Sequence, residues 1–195
     1  GYDNLLLPSG YSLGIDGTAF AGGLASLTDR MHLLLAVRCG ELWAPQLARQ
    51  IATLDRMLGG RLTVNIISSD LPGETLASAP RYRRTLETMQ VLRALLDGGA
   101  VSFHGEFIDL DLDPPTARTA DGRCPPFYFG GLSEDAREVA ARLGIAGLAQ
   151  NALLLLLDRR RIALLPAIAA ELRRRFDERK GVVHAEVITA VPLEA

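Results

Sequence analysis

The stretch Arg61 to Glu74, RLTVNIISSDLPGE, sets one asparagine inside a β-branched run and follows it with two serines, an aspartate and a Pro-Gly turn. An amide inside a buried strand must find hydrogen-bond partners or cost about 1–3 kcal/mol, so Asn65 is either satisfied by neighbouring strands or aimed at a ligand. Both readings stay open at this level. Ser9-Gly10, Arg38, Ser68-Ser69 and Gly131 with Ser133 also fall at or just beyond the ends of apolar runs. If those runs are parallel strands, their carboxyl ends gather on one face, where α/β folds keep ligand sites, and these side chains surround one pocket. The Gly130-Gly131-Leu132-Ser133 turn has the physics of an anion site, because free amides and the helix dipole both favour a phosphate. A Gly-Gly turn with a serine N-cap is equally ordinary helix punctuation.

Other reactive residue types point to structure rather than chemistry. His32 lies early in an apolar strand, His184 at the start of the last one, and His104 in a turn open to solvent. Asp109, Asp111 and Asp113 alternate beside prolines, but without a glycine-turned loop or a distal glutamate they make a solvated edge strand rather than a calcium loop. No Ser-His-Asp order, nucleophile elbow or HExxH is present, and no general acid or base stands out. Cys39 and Cys124 lack CxxC or Cys/His spacing, which argues against a disulfide framework and a zinc site and points to a reducing, cytoplasmic setting. Arg173-Arg174-Arg175 has no interleaved aromatic residue and reads as a solvated helix face, not a nucleic-acid contact.

The elements that must position these residues follow from periodicity. Asn4 to Leu7 reads as a strand stopped by Pro8-Ser9-Gly10; Thr18 to Asp29 as a helix with Phe20, Leu24 and Leu27 on one side, weakened by Gly22 and Gly23; Met31 to Val37 as a second strand. Pro45 suits the first turn of a helix whose apolar face is Leu47, Ile51, Leu54 and Leu58, ended by Gly59-Gly60. The Arg61 strand precedes a helix from Pro80 to Leu96 with Leu86, Met89, Leu92 and Leu96 in a row. Val101 to Phe103 and Phe107 to Leu110 form a hairpin turned at His104-Gly105-Glu106; then come a proline-rich excursion, a strand from Pro126 to Phe129 and a helix from Ser133. Repeated βα units with continuously apolar strands specify an α/β fold with a parallel sheet covered by helices, and pattern alone leaves barrel against open sheet undecided. The 195 residues carry a net charge of −2 and 48% hydrophobic residues, enough for a core and too balanced for an electrostatic partner. No run approaches the ~20 apolar residues of a membrane span.

With these residues in place, the first part of the chain resembles the luciferase-like flavin-dependent monooxygenases, nearest the alkanesulfonate monooxygenase branch. The blocks LLLPSGYSLGIDGTAF, LAVRCGE, PQLARQIATLDRMLGGRLTVNIISSDLPGE, SAPRYRRTLETM, FHGEF and PPFYFGGLSEDAREVA carry the resemblance, in order, from Gly1 to Ala146. It implies a (β/α)8 barrel of the TIM type, reduced FMN supplied by a flavin reductase, oxygen activation at the flavin, and a small organic substrate. By the same resemblance Asn65 and Ser68 contact the flavin, Tyr82 and Ser133 (with Gly131 in its turn) bind the phosphate end, and Ser9 sits near the isoalloxazine ring. The resemblance enters at the second barrel strand and leaves after about the sixth, so an incomplete barrel is expected, with apolar edges unpaired and activity in question. The cysteine that some sulfonate-cleaving relatives carry after the second strand is absent from Tyr11-Ser12-Leu13-Gly14, which counts against a sulfonate substrate.

After about Leu148 the texture changes to helix, helix and strand, Ala152 to Leu157, Ile162 to Phe176 and Val182 to Val191, with a boundary near Leu148 to Asn151. The runs RRIALLP-x-I and GVV-x-AEV-x-TA-x-PL resemble the later part of the ATP synthase delta subunit. That resemblance implies a chimera, a partial flavin-binding barrel over 1–148 and a delta-like tail over 149–195 that meets ATP synthase stalk subunits. The competing expectation is thus a non-enzymatic interaction protein, or a natural or designed fusion without activity; a homo-oligomer is left open.

Overall fold

A computed structural model of the chain describes residues 3–129, 133–144 and 162–180. The backbone divides into two compact units, Gly1–Gly147 and Leu148–Ala195. In the first, β1 (Asn4–Leu7), α1 (Gly17–Leu27), β2 (His32–Arg38), α2 (Ala44–Met57), β3 (Leu62–Ile67) and α3 (Ser78–Leu96) succeed one another. A hairpin of β4 (Val101–His104) and β5 (Asp109–Leu112) follows, then β6 (Phe127–Phe129) and α4 (Glu134–Arg142).

The main sheet has the order β1-β2-β3-β6, and every neighbouring pair is parallel. Its register puts Leu7, Leu35 and Val64 side by side, with Leu33 beside Leu62 and Ile66 beside Phe129, all buried in the one core. Leu47, Ile51, Leu54 and Leu58 of α2 and Leu86, Met89, Leu92 and Leu96 of α3 cover that face, as their spacing predicts. Each helix lies against the next, α1 on α2, α2 on α3 and α3 on α4. The opposite face, Leu34, Ala36 and Arg38 beside Thr63, Asn65 and Ile67 and then Tyr128, is half-buried apart from Ala36. A doubly wound sheet reverses its order and covers both faces; strands in chain order with helices on one face make an arc of a (β/α)8 barrel whose bare face is the barrel interior.

Several expectations need correction. The strand around Asn65 is buried on one face only, with burial alternating residue by residue, so Asn65 is half-buried on the bare face rather than sealed in a core. In α1 the buried residue is Ala21, while Phe20 is 40% and Leu27 79% exposed. Small side chains at Ala21 and Gly22 let α1 approach α2 closely, to where a Cβ on Gly22 would lie 3.8 Å from Leu54, and the bulky residues turn outward. His32, expected to be a satisfied or an exposed structural residue, is exposed at the start of β2. The hairpin turn spans 105–108, beginning one residue and ending two residues later than the sequence predicts, because the Glu87 carboxylate of α3 accepts the amides of Glu106 (2.8 Å), Phe107 (2.8 Å) and Ile108 (3.0 Å) and takes them out of the ladder. Beneath the sheet Arg61 donates to the carbonyls of Met31 (2.6 Å) and Thr28 (2.8 Å), and buried Asp55 accepts the Ala120 amide at 2.9 Å, which ties the proline-rich excursion to α2.

In the second unit a 3₁₀ turn, Ile162–Leu164, leads into a helix, Leu165–Lys180. Its Arg174 and Arg175 pair with Glu171 at 2.7 and 2.8 Å on an exposed face and hold that carboxyl down to about 2, which agrees with a solvated helix face. The expected helix Ala152 to Leu157 and strand Val182 to Val191 lie outside the described residues.

Two outcomes are expected. Glu87→Ala leaves three turn amides without their acceptor, so hydrogen exchange at Glu106, Phe107 and Ile108 should accelerate at least tenfold while the parallel sheet keeps its protection. His104 donates to or shares its proton with Asp109 at 2.6 Å, and that bond, followed by the Asp111 charge, raises its pKa above 6.5. The contribution of this pair to stability is therefore present below the unfolded value and disappears as pH rises through the higher folded one; Asp109→Asn should move the NMR titration midpoint of His104 back down.

Candidate functional site

A cleft of about 910 Å³ opens at the carboxyl ends of β1 and β2, a volume suited to a small organic ligand or cofactor. Its walls include Ser9, Gly10, Arg38, Gln50 and Leu71. The loop after β1 turns at Gly10, where the Leu13 amide meets the Gly10 carbonyl at 3.1 Å, and delivers Asp16 as the N-cap of α1, its carboxylate accepting the Ala19 amide at 2.7 Å. The loop after β3 is held by arginines. Arg81 pairs with Asp70, and Arg84, only 8% exposed, grips both Glu74 oxygens at 2.7 and 2.9 Å. Gly40 lets Arg84 lie there: its φ is +105°, and a Cβ would stand 2.9 Å from the Arg84 Nε and Cζ atoms.

Ser9 is half-buried in the cleft wall. Asn65 sits on the bare face between Ala36, which lines the cleft, and Tyr128 of β6. Ser68 directly follows β3, and its hydroxyl oxygen is sealed from water with no partner among the described residues. Such a group costs about 1–3 kcal/mol unless something bonds to it. Tyr82 in α3 packs edge-on against Phe129 with ring centroids 6.1 Å apart, and Ser133 caps α4 by accepting the Ala136 amide at 3.2 Å. Gly131 lies outside the described residues. The structure thus puts Ser9 in the cleft wall, Asn65 and Ser68 in and just after β3, Tyr82 in α3 against Phe129, and Ser133 at the start of α4. An arc of strands presents its ends in a row; convergence needs a closed ring.

Sequence reasoning missed Gln50 and Leu71. Gln50 adjoins the apolar stripe of α2, and its side-chain oxygen is also sealed without a partner among the described residues. A polar residue inside an apolar helical row was the available signal. Burial pushes the thiols of Cys39 and Cys124 up to about 12, which leaves both inert as nucleophiles. Among the described residues no group of histidine, cysteine, aspartate and glutamate could hold a metal ion, and no helix is long and apolar enough to cross a membrane.

Compared with known proteins, residues 1–194 match the luciferase-like monooxygenase family. The chain belongs to that family. The match runs past Ala146, where the recognisable sequence blocks stop, and across the stretch that resembles the delta subunit. Among curated luciferase-like relatives, the sulfoquinovose monooxygenase of Novosphingobium aromaticivorans is 62% identical over 148 residues, 72% of this chain and 41% of its own length. That of Agrobacterium fabrum is 44% identical over 142 residues, 71% of this chain and 37% of its own. The chain therefore spans about two fifths of these relatives. Among solved structures, the oxygenating constituent of 3,6-diketocamphane monooxygenase from Pseudomonas putida, a type II Baeyer-Villiger monooxygenase in complex with FMN, superimposes with a TM-score of 0.63 at 16% identity, over 73% of this chain and 46% of that one. At that identity the likeness speaks for the fold.

Gly40→Ala combines a left-handed backbone with a collision on Arg84, so it should lower stability by about 1–3 kcal/mol. The urea midpoint reads this; an unchanged midpoint would show that Arg84 moves aside freely.

Proposed function

We propose that this chain forms the FMN-binding side of a two-component monooxygenase that takes reduced flavin from a reductase and acts, with dioxygen, on a small sulfonated sugar. The observation that carries the reading is the 62% identity, over 148 residues, to a protein named for sulfoquinovose. It outweighs the absent cysteine at Tyr11 to Gly14, which pointed away from a sulfonate. A substrate that is both sugar and sulfonate also suits a family relative whose cleft wall mixes Ser9, Arg38 and Gln50 with apolar side chains.

The residues fit a flavin. Small Ala36 leaves room beside Asn65 on the bare face, the orphaned Ser68 oxygen waits for a hydrogen-bond partner, and α4 offers an N-terminus with Ser133 at its cap. Reduced FMN, when bound, supplies the oxidising chemistry by activating dioxygen. The protein's part is to hold and shield. Asn65 and Ser68 would fix the ring through its polar edge, Tyr82 would give the phosphate a hydroxyl donor, and Ser133 with the α4 amides would balance its charge. Ser9 would border the ring from the β1 side. The helix-covered face gives the rim a rigid backing, and walls such as Leu47 and Leu71 keep water from the cleft.

Titrating the chain with FMN and following fluorescence quenching tests the reading. Saturable binding is expected, weakened about tenfold by Asn65→Ala and by Ser133→Ala with the circular dichroism spectrum unchanged. Absence of saturation at millimolar flavin would overturn it.

A further inference from the structure

We infer that Arg38 is a positioning residue that sets the spacing of the two loops flanking the cleft, and with them the flavin rim; this rests on the flavin-binding reading above. Arg38 ends β2, the strand between β1 and β3. From there its guanidinium reaches both ways: Nη2 donates to the Ser9 carbonyl at 3.2 Å, 29 residues back, and Nη1 to the Asp70 carbonyl at 3.1 Å, 32 residues on. Nε stands 3.8 Å from Glu41, beyond hydrogen-bond reach, and has no hydrogen-bond partner among the described residues. The acids of the β3 loop are engaged elsewhere, Asp70 by Arg81 and Glu74 by Arg84. Arg38 is therefore left to bind main chain, and a planar fork of fixed geometry joined to two carbonyls measures the distance between their loops.

The loops so joined carry Ser9 itself and, two residues before Asp70, Ser68. Both also contribute to the cleft wall, Ser9 and Gly10 from one and Leu71 with Pro72 from the other. Arg38 touches the ligand's surroundings through backbone, so its work is geometric. A lysine in its place keeps the charge but offers one head, which meets one carbonyl at a time.

Hydrogen exchange gives a readout that does not depend on flavin. The Leu13 amide, bonded to the Gly10 carbonyl at 3.1 Å, reports on the first loop, and the Glu74 amide, bonded to the Leu71 carbonyl at 3.0 Å, on the second. In Arg38→Lys exchange at Leu13 and Glu74 should rise about tenfold while amides of β2 and β3 keep their protection, and Arg38→Met should raise it further. FMN affinity of Arg38→Lys should fall about tenfold. Wild-type exchange at both reporters in both variants overturns the inference, as does acceleration spread evenly over the sheet, which would make Arg38 a general support of the fold. Loops that loosen without any loss of flavin affinity overturn their assignment to the rim. A wild-type chain that binds no FMN sinks the flavin reading instead, and leaves the exchange result to decide what Arg38 does.

Discussion

One-sided burial of a parallel sheet governs this structure. Leu33, Leu35, Val64 and Ile66 are at most 1% exposed beneath α2 and α3, and full burial of each such side chain stabilises by about 1.5–3 kcal/mol. Because side chains alternate across a strand, committing these residues to the helices obliges Ala36, Arg38, Asn65 and Ile67 to face the other way. The face that could meet a ligand is thus fixed by the face that makes the core. A slip of one residue in β3 would bury Asn65 and expose Val64 and Ile66, and the hydrophobic penalty forbids it.

Above that sheet the loops are organised by charge. Arg38, Arg81 and Arg84 converge on the segment after β3, yet they do different things. Arg84 is nearly sealed, and its Nη1 alone donates to both Glu74 oxygens, so the buried cation is paired with a carboxylate. Arg81 meets Asp70 nearer the surface, while Arg38 binds two carbonyls. Gly40 belongs to the same arrangement, since any Cβ there would occupy the place of the Arg84 guanidinium. The rim of the arc is thereby held by polar bonds over an apolar floor, so a substitution in the loops can loosen the site without melting the sheet.

The chain belongs to the luciferase-like monooxygenases, and the flavin site we propose would draw on these features together. A cofactor with a flat ring and a charged tail needs a shallow face, a few fixed hydrogen-bonding groups and a place for negative charge. On the flavin-binding proposal, the bare side of β2 and β3, the Ser68 hydroxyl and the start of α4 would answer those needs. The expectation of a fusion rested on the stretch from Asn151 onward that resembles the delta subunit; the family's extent, residues 1–194, runs across that stretch.

Helix faces, cap residues and the parallel βα rhythm were legible in the chain itself, because each is written in local spacing: Leu47, Ile51, Leu54 and Leu58 form one stripe, and Gly59 and Gly60 take φ of +59° and +82° at its end. Recognisable blocks also pointed to the family. What local spacing cannot contain is contact between distant segments. That Ala21 rather than Phe20 faces the core depends on how closely α2 approaches; that the hairpin turn is longer and later depends on Glu87, nineteen residues before Glu106. The roles of Arg38 and Gln50 in the cleft likewise emerge only once loops far apart in the chain are brought together. Sequence alone determined which residues could be inside and which could do chemistry; tertiary structure decided which of them meet, because packing and long-range hydrogen bonds are properties of pairs and no single stretch carries them.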